Sequence, residues 1–231
     1  MTDDHPLHNI FWHCLNEPHS PFSLGNERVR RYQPGFSPIA AFADLNEPDL
    51  TGLAALAEPD EVLYAEGWNG PLASTQWAIE FDGSMVAMAW AREDTPPAAT
   101  VPCRTLGPED QEAMLALVEQ TQPGPFGERN LEMGAFVGHF SPDGQLIAMA
   151  GERTRHGPWH EVSGICTHPD HRGLGLGRQL TFEIVRRMHA RQETPFLHVR
   201  SDNTVARQLY RQLGFQEVLE TPVRVIKRLS T

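Results

Sequence analysis

The segment Ile165-Cys166-Thr167-His168-Pro169-Asp170-His171-Arg172-Gly173-Leu174-Gly175-Leu176-Gly177-Arg178 constrains this chain more than any other. It joins an extended run, Trp159–Thr167, to a helix expected over 173–192, in which Leu176, Leu180, Ile184 and Met188 recur four apart on one face. Glycines at 173, 175 and 177 leave the backbone amides unscreened, and the helix N-terminus adds its partial positive charge. Arg172 and Arg178 add full charges beside it. Such a turn suits a diphosphate. No Gly-Lys-Ser/Thr follows, so it is not a Walker loop, and its glycine spacing and missing downstream acid do not fit the dinucleotide fingerprint.

The remaining signals divide the chain in two. Net charge is -11, yet residues 1–100 hold 15 acids and 4 bases while 101–231 hold 15 of each. An acidic chain has no global reason to seek nucleic acid or an anionic membrane. The break coincides with Asp94-Thr95-Pro96-Pro97-Ala98-Ala99-Thr100, which reads as a connector. Beyond it the pattern predicts an extended piece at 100–106, a helix from Pro108 to about Thr121, and strands at 134–140 and 146–152 around the turn Ser141-Pro142-Asp143-Gly144. Further strands are expected at 196–200, 215–219 and 224–229, with a helix over Thr204–Leu213 closed by Gly214. No apolar run reaches the ~20 residues of a membrane span. The acidic start, Met1-Thr2-Asp3-Asp4-His5, lacks a secretory layout. Cys14, Cys103 and Cys166 are too few and too scattered for a disulfide framework, which fits a cytoplasmic protein.

An offset of 61 aligns 45–58 with 106–119 and Asp82-Gly83-Ser84-Met85-Val86-Ala87-Met88-Ala89 with Asp143-Gly144-Gln145-Leu146-Ile147-Ala148-Met149-Ala150. The first part is therefore expected to be a truncated copy of the strand, helix and hairpin that open the second. It contains no counterpart of the glycine loop.

With Arg172, Gly175 and Gly177 in place, and His198-Val199-Arg200-Ser201-Asp202-Asn203 followed by Ala206, Tyr210 and Leu213-Gly214-Phe215, the sequence resembles the GCN5-related N-acetyltransferase (GNAT) superfamily, most closely its FR47-like branch. The resemblance covers about 100–231. It implies an α/β (α+β) fold: a central, mixed, mostly antiparallel sheet with two splayed parallel strands, flanked by helices, and preceded by a truncated GNAT-like half. The expected domains are 1–95, degenerate, and 96–231, catalytic. The implied activity is direct acetyl transfer from acetyl-CoA to a primary amine of a small molecule or peptide, without a metal, in a monomer or homodimer that binds neither nucleic acid nor membrane. Non-catalytic acyl-CoA binding is the rival reading, and O-acylation differs from the first only in acceptor.

By the same resemblance, backbone around Ile165, Cys166 and Thr167 pairs with the pantetheine arm. The amides of Arg172, Gly173, Leu174, Gly175, Leu176, Gly177 and Arg178 hold the pyrophosphate. Tyr210 is the candidate acid at the leaving thiolate, and Asn203 a cofactor-side hydrogen-bonding residue. Glu161 is the candidate base, a structural glutamate or an anchor for the substrate ammonium. Strand alternation puts Glu161, Ser163 and Ile165 on one face. Cys166, flanked by Ile165 and Thr167, reads as an inert small hydrophobe rather than a nucleophile, and His168 as a cap. His5, His8, His13, Cys14 and His19 match no common zinc spacing, so the segment with Ile10, Phe11, Trp12 and Leu15 is expected to dock by apolar contact. The 121–129 loop either walls the acceptor pocket or merely connects.

Overall fold

The computed structural model describes residues 5–230, so the acidic opening Met1-Thr2-Asp3-Asp4 lies outside the described residues. The first part runs α1 (Ile10–Asn16), β1 (Ser23–Gly25), β2 (Val29–Tyr32), β3 (Ile39–Phe42), α2 (Leu50–Ala54), β4 (Val62–Glu66) and β5 (Trp77–Trp90). The second runs β6 (Arg104–Thr105), α3 (Gln111–Thr121), β7 (Phe136–Phe140), β8 (Leu146–His156), β9 (Trp159–Thr167), α4 (Leu176–Ala190), β10 (Thr194–Arg200), α5 (Thr204–Leu213) and β11 (Phe215–Arg228). All 11 strands form one sheet in the order β1-β2-β3-β4-β11-β5-β10-β9-β8-β7-β6. Pairing is antiparallel except at β3 with β4 and β9 with β10. The chain therefore has the expected mixed α/β architecture, with helices on both faces of the sheet.

Local chemistry sets several boundaries. Pro108 opens a single 3-10 turn before α3, where Asp110 accepts the Gly107 N–H at 2.9 Å. Asn203 caps α5 through Oδ1, and Gly214 ends it at φ 117°, a left-handed conformation that glycine adopts without strain. The buried stripe of α4, including Leu176, Leu180, Ile184 and Met188, packs on Val162, Leu197 and Val199. The opposite sheet face carries α1, docked through Ile10, Phe11 and Leu15, and α3, docked through Met114 and Leu117.

Two expectations fail at the centre of the sheet. Asp82 and Gly83 form no hairpin but lie inside the continuous strand β5, and the segments at 215–219 and 224–229 are one strand, β11. These two 14-residue strands pair with each other over 13 positions, Gly83 opposite Val223 and Asp82 opposite Arg224. A ladder of that length overrides the turn tendency of an Asp-Gly pair.

The pairing also has an internal two-fold pattern, in a register the offset of 61 misses. Strands β1, β2, β3 and β4 pair in the same sense as β7, β8, β9 and β10; β4 then pairs with β11, while β10 pairs with β5. The last strand of each part has crossed to the other. Helix α2 follows β3 as α4 follows β9, so its counterpart is α4 and not α3, and β5 corresponds to β11 and not to the 141–144 hairpin. The connection matching the glycine loop is 43–49, which carries Asp44, Glu47 and Asp49 where the second part has Arg172 and glycines.

Candidate active site

Strands β9 and β10 run parallel through Trp159, His160 and Glu161 against Thr194, Pro195 and Phe196, and their register ends there. Beyond this point β9 stays with β8 and β10 with β5, so the two strands part. A bulge drives β9 away: Met149 faces Cys166 and Gly151 faces Ser163, leaving β9 one residue long, with Gly164 at φ 61°. The extra residue also reverses the alternation expected from sequence. Ile165 packs with Val162 on the α4 face, while Cys166 joins the α3 side. Parting exposes backbone groups from both strands to the gap, as pairing with an extended amide-bearing arm requires.

At the open end of the gap, just after Thr167, lies the glycine loop. Arg172, Gly173, Leu174 and Gly175 are exposed, and Gly173 and Gly175 adopt φ 80° and 73°. A Cβ at either glycine would meet no atom within 4 Å, so the open space beside these amides is free for a ligand. Helix α4 has no side-chain N-cap, which leaves its first-turn donors for an anion. Leu176 is buried, and Gly177 lies close to the end of β9, where a Cβ on it would stand 3.5 Å from the Thr167 hydroxyl. Arg178 is exposed, with its guanidinium 5.9 Å from the Phe182 ring. These residues fit a diphosphate-bearing thioester.

Tyr210 packs against the α4-side core, its ring 6.2 Å from that of Phe215; burial and the neighbouring Cys166 push its hydroxyl up to about 12. Its phenol therefore stays protonated at physiological pH. Burial pushes the Cys166 thiol up to about 11, which agrees with an inert role. The side-chain oxygen of Asn203 is engaged in capping, leaving its amide nitrogen as the group able to reach a ligand. His168 accepts the Asp170 N–H and caps a 3-10 turn. The 121–129 loop docks on the first part: the Pro125 carbonyl accepts the Ser37 hydroxyl at 2.9 Å, and Arg129 N–H donates to Gly35.

Glu161 does not suit the role of a base. Its side chain is 1% exposed and is clamped by Arg153 through bonds of 2.9 and 2.7 Å. It also accepts the Thr154 N–H at 3.2 Å and hydrogen-bonds His198 Nδ1 at 2.8 Å. Burial pushes its pKa up, but Arg153 and His198 outweigh that and hold the carboxyl well below the usual carboxylate range. A carboxylate so weakly basic and so fully bonded has little tendency to take an amine proton. Sequence reading missed Arg153 and Glu66 and used His198 only as part of a motif, because their meeting depends on strand register. Among the described residues, no group of three or more His, Cys, Asp or Glu side chains could hold a metal ion.

A parallel pair opened by a bulge above an uncapped, glycine-led helix defines an acetyltransferase-type α/β fold. The FR47-like protein family matches residues 136–225. A GNAT-family protein from Novosphingobium aromaticivorans shares 31% identity and superposes with a TM-score of 0.86, over 98% of this chain and 100% of the other. The N-alpha-acetyltransferase RimI of Mycobacterium tuberculosis is 35% identical over 102 residues, 42% of this chain and 63% of that protein. An uncharacterized Mycobacterium leprae protein is 31% identical over 149 residues, 58% of this chain and 41% of its own. The chain thus spans less than two thirds of these two curated relatives. It belongs to the GCN5-related N-acetyltransferase family.

Proposed function

We propose that this protein transfers an acetyl group from acetyl-CoA to a primary amine of a small molecule or peptide. The observation carrying this reading is the opened β9–β10 pair with the glycine loop at its open end, exposed from Arg172 to Gly175. Bound acetyl-CoA supplies the thioester carbonyl. Loop amides hold its pyrophosphate, backbone at Ile165 to Thr167 aligns its arm, Asn203 contributes a side-chain contact, and the Tyr210 hydroxyl protonates the departing sulfur. Fixing the thioester against the amine supplies most of the rate enhancement. Glu161 serves as a positioning residue. Residues 1–95 are read as a degenerate copy of the family domain, on the strength of the repeated pairing pattern. Its acidic 43–49 connection is unsuited to pyrophosphate, so one acetyl-CoA per chain is expected.

The test is a panel of primary amines with acetyl-CoA, followed by released thiol. Tyr210→Phe should lower turnover at least tenfold while coenzyme A affinity stays within twofold. An unchanged turnover removes the acid role, and absence of coenzyme A binding by the parent removes the reading itself.

A further inference from the structure

His198 lies two residues beyond Phe196, the last residue of β10 paired with β9, and so stands on the α1 side at the base of the opened gap. Its Nδ1 meets Glu161 at 2.8 Å, and Phe11 of α1 stacks on its ring with centroids 5.5 Å apart. Its Nε2 is buried without a hydrogen-bond partner and faces Glu66 Oε1 at 3.6 Å. Glu66 ends β4 in the first part of the chain, and its carboxylate also accepts the Thr221 hydroxyl. Side-chain exposure falls from 13% at Glu66 to 3% at His198 and 1% at Glu161. Glu66 is therefore the end of this carboxylate–imidazole–carboxylate row nearest solvent.

We propose that this row is the acceptor end of the transfer site, where Glu66 holds the ammonium of a primary amine and His198 Nε2 takes its proton, so that the first part of the chain completes the active site. The proposal rests on the acyl-transfer reading. Arg153 neutralises Glu161 and leaves the charge of Glu66 for a cationic partner. With Nδ1–H directed to Glu161, the Nε2 lone pair is free, a tautomer assigned from the hydrogen bond. Burial pushes the imidazole pKa down, but Glu66 and Glu161 outweigh it and raise it against an opposing Arg153. Tyr32 and Cys14, which border Arg153 and Glu161, are held neutral because burial pushes both up. The two carboxylates thus make the imidazole a stronger proton acceptor than a free histidine, and its Nε2 faces the carboxylate that would hold the amine. One amine proton passes to His198 and on to solvent. The amine nitrogen then bonds to the thioester carbon as the C–S bond breaks; sulfur takes a proton from Tyr210, and the second amine proton restores the phenol.

The test follows the His198 imidazole resonances by NMR through a pH titration of the full chain. In the parent the ring should titrate above 6.5, and Glu66→Gln should lower its midpoint by about half a unit or more. An unmoved midpoint overturns the proposal. In parallel, acetyl-CoA is assayed with spermidine, phenethylamine and an alanine-initiated hexapeptide. Glu66→Gln should raise the amine KM about tenfold without changing that for acetyl-CoA, and shift the acid limb of the rate profile to lower pH. His198→Gln should lower kcat by about a hundredfold, with calorimetric coenzyme A binding retained as evidence of folding. His198→Gln activity within twofold of the parent overturns the proposal, as does a parent that binds coenzyme A but acetylates none of the probes. A parent that binds no coenzyme A defeats the acyl-transfer reading instead, and the titration still decides whether Glu66 and His198 are coupled.

Discussion

Replacing Glu161 by Gln should destabilise the protein severely although it keeps the side chain's shape. Arg153 and Glu161 are 8% and 1% exposed and share two parallel hydrogen bonds. The variant turns an amide NH2 toward guanidinium donors and leaves the Arg153 charge buried without a counterion. Breaking a buried pair in this way costs about 3–5 kcal/mol. For a chain of 231 residues that is a fall of roughly 6–20 °C in Tm, readable by calorimetry and by the urea midpoint. The double variant Arg153→Met with Glu161→Leu removes both charges and should recover more than half the loss, since replacing both partners by apolar groups is often nearly neutral. The acid dependence has a definite sign. The folded-state pKa of Glu161 is depressed, so its contribution is complete above the unfolded carboxylate value near ~4.3 and is lost as pH falls toward the folded one. The gap between parent and Glu161→Gln should therefore close in acid. A single variant within about 1 kcal/mol of the parent at pH 7 would mean that the pair is solvated and would refute the argument.

Gly175→Ala and Gly144→Ala both place a Cβ at positive φ with nothing within 4 Å, so each should lose roughly 1–2 kcal/mol; only Gly175→Ala should also weaken coenzyme A binding, by at least tenfold in calorimetry, and equal affinities would relocate the pyrophosphate. Residues 96–231 expressed alone should fail to give a cooperative unfolding transition, because removing β5 strips β10 and β11 of their shared neighbour; a well-folded fragment would show that the strand exchange is dispensable. Cys166 should resist iodoacetamide at pH 8 in the native state, and Cys166→Ala should retain turnover within threefold; trapped acyl-cysteine would instead establish a covalent route.

Much of the candidate site is legible in local sequence because its parts are local. The Arg172–Arg178 loop is a run of glycines before a periodic helix, and Asn203 caps the short helix that carries Tyr210, so neighbours along the chain are neighbours in space. The same holds for Trp159–Thr167, whose strand bounds appear unaltered in the fold. Where a signal depends on partners distant in sequence, the pattern misleads. Asp82-Gly83 carries a turn composition yet lies mid-strand, because β11 pairs across it. Ile165 changes face because of one bulged residue.

The sequence alone determined the glycine loop, the helix behind it and the family, since each rests on side-chain and backbone properties fixed within a few residues. Tertiary structure alone decided that the last strands of the two parts cross over, which carries β4 beside β11 and Glu66 to within 3.6 Å of His198. It also turned Glu161 from a candidate base into the buried partner of Arg153. Proton affinity depends on which charges and how much solvent surround a group, and that environment is assembled from residues 8 to 132 positions apart only when the sheet closes.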